Sequence, residues 1–125
     1  MTAKVQHTGY LPARETGKIV KEGKVGEEIS PEEAKEMAGL CALNALAAIS
    51  LVADIDQIKK IVRIGGFVNG IPGFTAIPPI IDGASEFFIK LFGEVNGKHA
   101  RTAIGVAELP LNSPVEIEVL IQLKC

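Results

Sequence analysis

Histidine and cysteine are scarce: His7, His99, Cys41 and Cys125 are the only ones, and the two cysteines have no metal-ligand spacing. No Cys/His cluster can be assembled from them within one chain, which argues against a protein metal site. Cys41 falls in an alanine-rich helical pattern, where a free cysteine packs as a small hydrophobe, while Cys125 is terminal and no role is expected of it. No apolar run approaches the roughly 20 residues of a membrane span. The start Met1-Thr-Ala-Lys-Val5 also lacks the apolar stretch of a signal peptide, so a soluble, cytoplasmic protein with no membrane partner is expected. Positive charge is not concentrated either: 13 Lys and Arg stand against 15 Asp and Glu, for a net charge of -2. Scattered basic residues give no electrostatic footprint for a phosphate backbone, which argues against nucleic acid as a partner. Nucleotide fingerprints are missing as well. There is no Gly-x-x-x-x-Gly-Lys-Ser/Thr, and the glycine pairs lack strand-turn-helix placement. Gly-x-Ser-x-Gly is absent, which removes hydrolases of the nucleophile-elbow type but not single serines such as Ser85.

What is present is a chain of 125 residues with 47% hydrophobic content, enough for one domain over residues 1–125 with one core. Ala3 to Thr8 reads as a short strand closed by Gly9, the alternative being a disordered arm; Lys18-Ile-Val20, after the turn signal Glu15-Thr-Gly-Lys18, reads as its hairpin partner. At Ser30-Pro-Glu-Glu33 helix-start signals coincide: a capping serine, a proline at the first helical position and a glutamate that can reach back. From there Ala34, Met37, Ala38, Cys41, Ala42, Ala45, Leu46, Ile49 and Val52 recur at three- and four-residue steps, predicting one apolar helix face that ends near residue 54. Many alanines allow close approach to a sheet.

Residues 59–69 read as a strand buried largely on both sides, with Ile61, Arg63, Gly65 and Phe67 on one face and Val62, Ile64, Gly66 and Val68 on the other. Gly65-Gly66 in its middle marks a bulge or a close approach by backbone or ligand. A second helix follows, with Ile77, Ile80, Ile81, Ala84, Phe87, Phe88, Leu91 and Phe92 as its apolar face and Pro78-Pro79 in its first turn. Two more strands, Arg101 to Ala107 and Pro114 to Lys124, complete the chain. This order predicts an α+β fold, a mixed sheet with two helices packed on one face. The other sheet face, with Leu120 beside carboxylates, would be buried against copies of the chain.

Arg101 opens one of the last two strands and Glu116 lies early in the next, so pairing of those strands would bring the two side chains together. A guanidinium can grip a carboxylate with two parallel donors, and a carboxylate can activate water. Without further information such a pair is most often a plain salt bridge.

The run Arg101-Thr-Ala-Ile-Gly-Val-Ala-Glu-Leu-Pro110, then Val115-Glu-Ile-Glu118, resembles the signature of the reactive intermediate deaminase (Rid, YjgF-like) family. The likeness extends through Gly23-Lys-Val-Gly26, Leu40-Cys-Ala-Leu-Asn44, Gly66-Phe-Val-Asn69 and Asp82-Gly-Ala-Ser85, nearly the whole chain. The resemblance implies a chorismate-mutase-like fold, a homotrimer with clefts between subunits, and hydrolysis of reactive enamines and imines of the 2-aminoacrylate and 2-iminobutanoate type to 2-keto acids and ammonia. It implies no cofactor. Residue by residue, Arg101 would clamp the substrate carboxylate, the backbone of Ala103 would hold the nitrogen end, Glu116 would position the attacking water, and Thr8-Gly9 would line the pocket.

Three departures accompany the likeness. The family's first strand and the pocket tyrosine after it have no counterpart; Tyr10, the only tyrosine, is a candidate for the cleft from elsewhere. Asp82 stands where relatives commonly carry asparagine, and its charge would oppose a substrate carboxylate unless Arg101 or a proton compensates. Ala103 replaces a frequent cysteine. Two further readings therefore compete with the deaminase: a non-catalytic module that binds a small keto or amino acid in the same cleft, and an endoribonuclease, which the absent basic patch and single tyrosine disfavour.

Overall fold

The computed structural model describes residues 4–13 and 17–124, with residues 4–10 described by their backbone alone. Four strands, β1 (Lys4–Tyr10), β2 (Ile58–Asn69), β3 (Ala100–Val106) and β4 (Val115–Leu123), and two helices, α1 (Pro31–Ile49) and α2 (Pro78–Asn96), make up the fold. The sheet order is β1-β4-β2-β3. β4 runs antiparallel to both β1 and β2, and β2 is parallel to β3, as a β2-α2-β3 crossover requires. This is the expected mixed sheet with both helices on one face.

Local signals account for α1. The Ser30 hydroxyl accepts from the Glu33 N–H at 3.1 Å, and the Glu33 carboxylate accepts from the Ser30 N–H at 3.4 Å. Pro31 supplies the first helical residue. The predicted stripe is buried from Ala34 to Ile49 and stops there: Val52 is 69% exposed, because beyond Ile49 the helix has no core left to cover. Asp54 instead caps a short 3-10 turn over Ile55–Gln57. In α2 the buried set is Ile80, Ile81, Ala84, Ser85 and Phe88, while Leu91 is exposed.

β4 alternates without interruption, Val115, Ile117, Val119, Ile121 and Leu123 into the core and Glu116, Glu118, Leu120 and Gln122 half-buried on the open face. In β2 the irregularities lie between Ile58 and Lys60 and between Ile61 and Arg63 rather than at Gly65-Gly66, and the second turns both Ile61 and Ile64 into the core. The glycine pair has the other explanation: a Cβ on Gly66 would come within 2.5 Å of the Ile81 side chain, so α2 packs directly on the strand backbone. The helices meet each other the same way. A Cβ on Gly83 would lie 2.0 Å from the Lys35 carbonyl oxygen, and Gly39 faces Gly83.

The predicted hairpin is corrected. β1 pairs with β4 along its whole length, and among the described residues Lys18-Ile-Val20 meets the segment after β1 through an isolated Ala13–Ile19 bridge and a Val20 N–H to Pro12 carbonyl bond at 3.0 Å. Distant groups hold the segments that follow β1. The Asn44 side-chain amide on α1 donates to the carbonyls of Leu11 (3.1 Å) and Ala13 (2.9 Å), holding the segment after β1 against α1. Lys24 ties its loop to the sheet by donating to Asn69 Oδ1 and to the Ala107 carbonyl, both at 2.7 Å.

Candidate functional site

α2 begins at Pro78-Pro79, and one turn in, Asp82 and Ser85 share a side of the helix through their three-residue spacing. That side faces β3. Arg101 is opposite Ile64 in the β2-β3 ladder, and because directly paired residues point the same way, it projects to the helix face of the sheet, as Ile64 does. Its Nη1 donates to Asp82 Oδ1 at 2.6 Å and to Ser85 Oγ at 3.2 Å. The pair with Asp82 is partly shielded, with the arginine side chain 26% and the aspartate 44% exposed.

His99 completes the cluster. Its Nε2 lies 2.8 Å from Ser85 Oγ and its Nδ1 lies 2.6 Å from the Gly97 carbonyl oxygen. A carbonyl only accepts, so Nδ1 carries the proton and neutral Nε2 accepts the Ser85 hydroxyl. Burial pushes the His99 pKa down, the Arg101 charge adds to that, and the Gly97 bond opposes both. The neutral ring is therefore the resting form. Gly93, with φ 87, breaks α2 just before this segment, and no side chain fits at Gly97, where a Cβ would meet the Phe88 and Gly93 carbonyls.

Glu116 occupies the opposite face. It pairs directly with Phe67 on β2, whose other neighbour is Ile104 on β3, and it is half-buried among them. Burial raises its pKa, and Glu118, two residues on, raises it further. Arg63 on the same face donates to Thr102 Oγ1 at 2.8 Å. Ala103 sits opposite Gly66, half-buried against the core, on the edge strand β3.

The expected meeting of Arg101 and Glu116 does not occur within one chain. β3 and β4 are not neighbours; β2 lies between them, and the two side chains point to opposite faces. Thr8, Gly9 and Tyr10 lie on β1, the far edge, in register with Val119, Glu118 and Ile117; of these three residues only the backbone is described. What the fold does assemble is Arg101 with Asp82, joined by Ser85 and His99, which had been given no role. Their signal was legible: His99 and Arg101 are two apart at the start of a strand, and Asp82 and Ser85 three apart on a helix, so each pair shares a face. A separate cavity of about 430 Å³ lies near the end of β3, lined by residues including Lys24, Ile71, Phe74, Ile77 and Glu108, and among the described residues no predicted site side chain lines it.

A family model described as "YjgF/chorismate mutase-like, putative endoribonuclease" matches residues 1–123. Protein TCP17 of Trypanosoma cruzi is 35% identical over 117 residues, covering 93% of this chain and 72% of that protein. A RutC family protein of Aquifex aeolicus is 29% identical over 106 residues, 78% of this chain and 74% of its own. A crystal structure from Agrobacterium tumefaciens, of a protein of unknown function, superimposes with a TM-score of 0.91 at 35% identity, covering 100% of this chain and 80% of that one. Escherichia coli TdcF with bound serine, at 18% identity and a TM-score of 0.65, shares the fold, covering 97% of this chain and 81% of its own.

Proposed function

The chain belongs to the YjgF/chorismate mutase-like family, and on that footing we propose that it hydrolyses small reactive imines and enamines, of the 2-iminobutanoate and 2-aminoacrylate type, to 2-keto acids and ammonia. The observation that carries the reading is Arg101: a guanidinium with one nitrogen braced by α2, on an edge strand, with the remaining donors of its fork unengaged among the described residues. Such a group suits a substrate carboxylate. The serine held by TdcF carries the same kind of α-carboxylate as these substrates.

The chemistry asks little of the protein beyond placement. Water adds to the imine carbon and one of its protons ends on the nitrogen, giving a carbinolamine; the hydroxyl proton then passes to the amine nitrogen as the C–N bond breaks, releasing ammonia and the keto acid. An enamine first takes a proton on carbon to become the imine. Glu116, with its raised pKa, is suited to accept the water proton and return it. The backbone of Ala103 on the sheet edge would orient the nitrogen end.

Arg101 and Glu116 can serve one substrate only if different copies supply them, since within a chain they face apart. The reading therefore includes a homotrimer in which the open face, with Phe67, Ile104 and Leu120, is covered by neighbouring copies, and Thr8, Gly9 and Tyr10 complete the cleft. Sedimentation at three times the mass of the 13.2 kDa chain is expected. The decisive experiment generates 2-iminobutanoate in situ with an amino-acid oxidase: the protein speeds keto-acid release, and Arg101→Ala loses that activity. A wild-type rate equal to buffer, with keto acid still bound through Arg101, would support the second reading, a non-catalytic carboxylate-binding module. That alternative is favoured by one observation, the Asp82 carboxylate already resting on the guanidinium.

A further inference from the structure

If Arg101 receives a ligand carboxylate, as the reading above holds, the way its guanidinium is braced decides which of its donors remain for that ligand. We propose that Ser85 and His99 are positioning residues for Arg101, a short hydrogen-bond relay that commits Nη1 to the protein and turns the Nε–Nη2 edge of the fork toward the ligand.

The relay has a direction set at its far end. The Gly97 carbonyl, 2.6 Å from His99 Nδ1, fixes the proton there and leaves Nε2 as an acceptor. Among the described residues the hydroxyl that meets Nε2 is Ser85 Oγ, at 2.8 Å, on a residue that is only 8% exposed. A serine hydroxyl has one proton. Once that proton points at Nε2, the oxygen's lone pairs face elsewhere, and Arg101 Nη1 meets one of them at 3.2 Å.

Nη1 carries two N–H groups. One goes to Ser85 and the other to Asp82 Oδ1 at 2.6 Å, both acceptors lying three residues apart on α2. Nη1 is thereby saturated. Among the described residues nothing engages Nε or Nη2, whose N–H groups lie parallel on the other edge of the plane. That edge is the side-on arrangement that takes a carboxylate with two parallel bonds. The relay therefore lets Asp82 and a ligand carboxylate share one guanidinium on separate edges.

The charged groups that meet the relay are Arg101 from β3 and Asp82 from α2; the neighbouring Lys98 is exposed. Protonating His99 would replace its acceptor nitrogen with a donor. Ser85 Oγ would then face donors from both sides, and its own proton would lose its partner.

The test measures binding of 2-ketobutyrate by calorimetry alongside nitrogen-15 spectra of the histidine rings in the ligand-free protein. The dissociation constant should rise about tenfold in Ser85→Ala and His99→Leu, the effect of one lost bond to a charged group. His99→Gln, whose side-chain carbonyl can accept the same hydroxyl, should restore affinity to within about twofold. In the spectra His99 should carry its proton on Nδ1, and Ser85→Ala should raise its pKa, since a donor to the neutral ring has been removed. Equal affinity in wild type and in the Ser85 and His99 variants overturns the relay and leaves the site reading intact. If the wild type binds no keto acid, the site reading fails and the spectra alone judge the relay: a proton on Nε2 overturns it, and the Nδ1 form with the Ser85-dependent pKa supports it.

Discussion

Arg101 Nη1 donates to Asp82 Oδ1 at 2.6 Å, so the negative charge that threatened to oppose a substrate carboxylate is already neutralised by the residue expected to bind that substrate. Neutralisation is not removal. The Asp82 side chain is 44% exposed, and its charge still lies close to any second carboxylate on the guanidinium. Asp82→Asn keeps an oxygen acceptor for Nη1 and deletes the charge. Keto-acid affinity should rise several-fold, with KM for the imine falling in step and kcat little changed. A weaker-binding Asn variant would show that the carboxylate is needed to orient the arginine and that its repulsion is negligible.

The crossing of α1 over α2 depends on Gly83. A Cβ there would sit 2.0 Å from the Lys35 carbonyl oxygen, a backbone atom that cannot turn aside, whereas a Cβ on Gly39 would make an ordinary 3.5 Å contact with the Gly83 carbonyl. Gly83→Ala should therefore cost at least ~1–3 kcal/mol by overpacking. Gly39→Ala should be neutral or stabilise by up to ~1 kcal/mol through helix propensity. Urea unfolding of both variants checks the contrast, and equal midpoints would falsify the close-contact account.

In the proposed reaction Glu116 would serve as a base only when ionised, and burial together with Glu118 lifts its pKa above the ordinary glutamate range. Deaminase activity should consequently fall on the acid side at a higher pH than an exposed glutamate would give. Glu118→Gln removes one of the two causes and should move that limb to lower pH. Glu116→Gln should abolish the activity together with the limb. Rate profiles of the three proteins between pH 4 and 8 decide it, and a limb that ignores Glu118 assigns it to another group.

His99 links the cluster to stability. Its folded pKa is lowered, chiefly by burial, so on acidification the unfolded chain takes up the proton first. The stabilisation is complete above the unfolded value of about 6.5 and disappears as pH falls through the folded one. Wild-type protein should lose more stability than His99→Gln between pH 7.5 and 5, read from urea midpoints. Parallel slopes would remove His99 from the acid sensitivity.

Much of the local structure was legible in the residues themselves. Ser30, Pro31 and Glu33 set the start of α1 through contacts within one turn, and the strict alternation of β4 sorted its side chains between core and open face. Those features need only a helical or strand period and near neighbours in sequence. The α+β class followed from element order, and the family from the Arg101 and Glu116 motifs.

Tertiary structure decided which elements meet, because pairing partners and register are set by distant groups that no local period records. β1 chose β4 over residues 18–20, with Asn44 holding the segment after it. β2 took the place between β3 and β4, and that one choice turned Arg101 and Glu116 to opposite faces. It also brought α2 over Arg101, so that a serine and a histidine outside the expected site became the groups that hold its guanidinium.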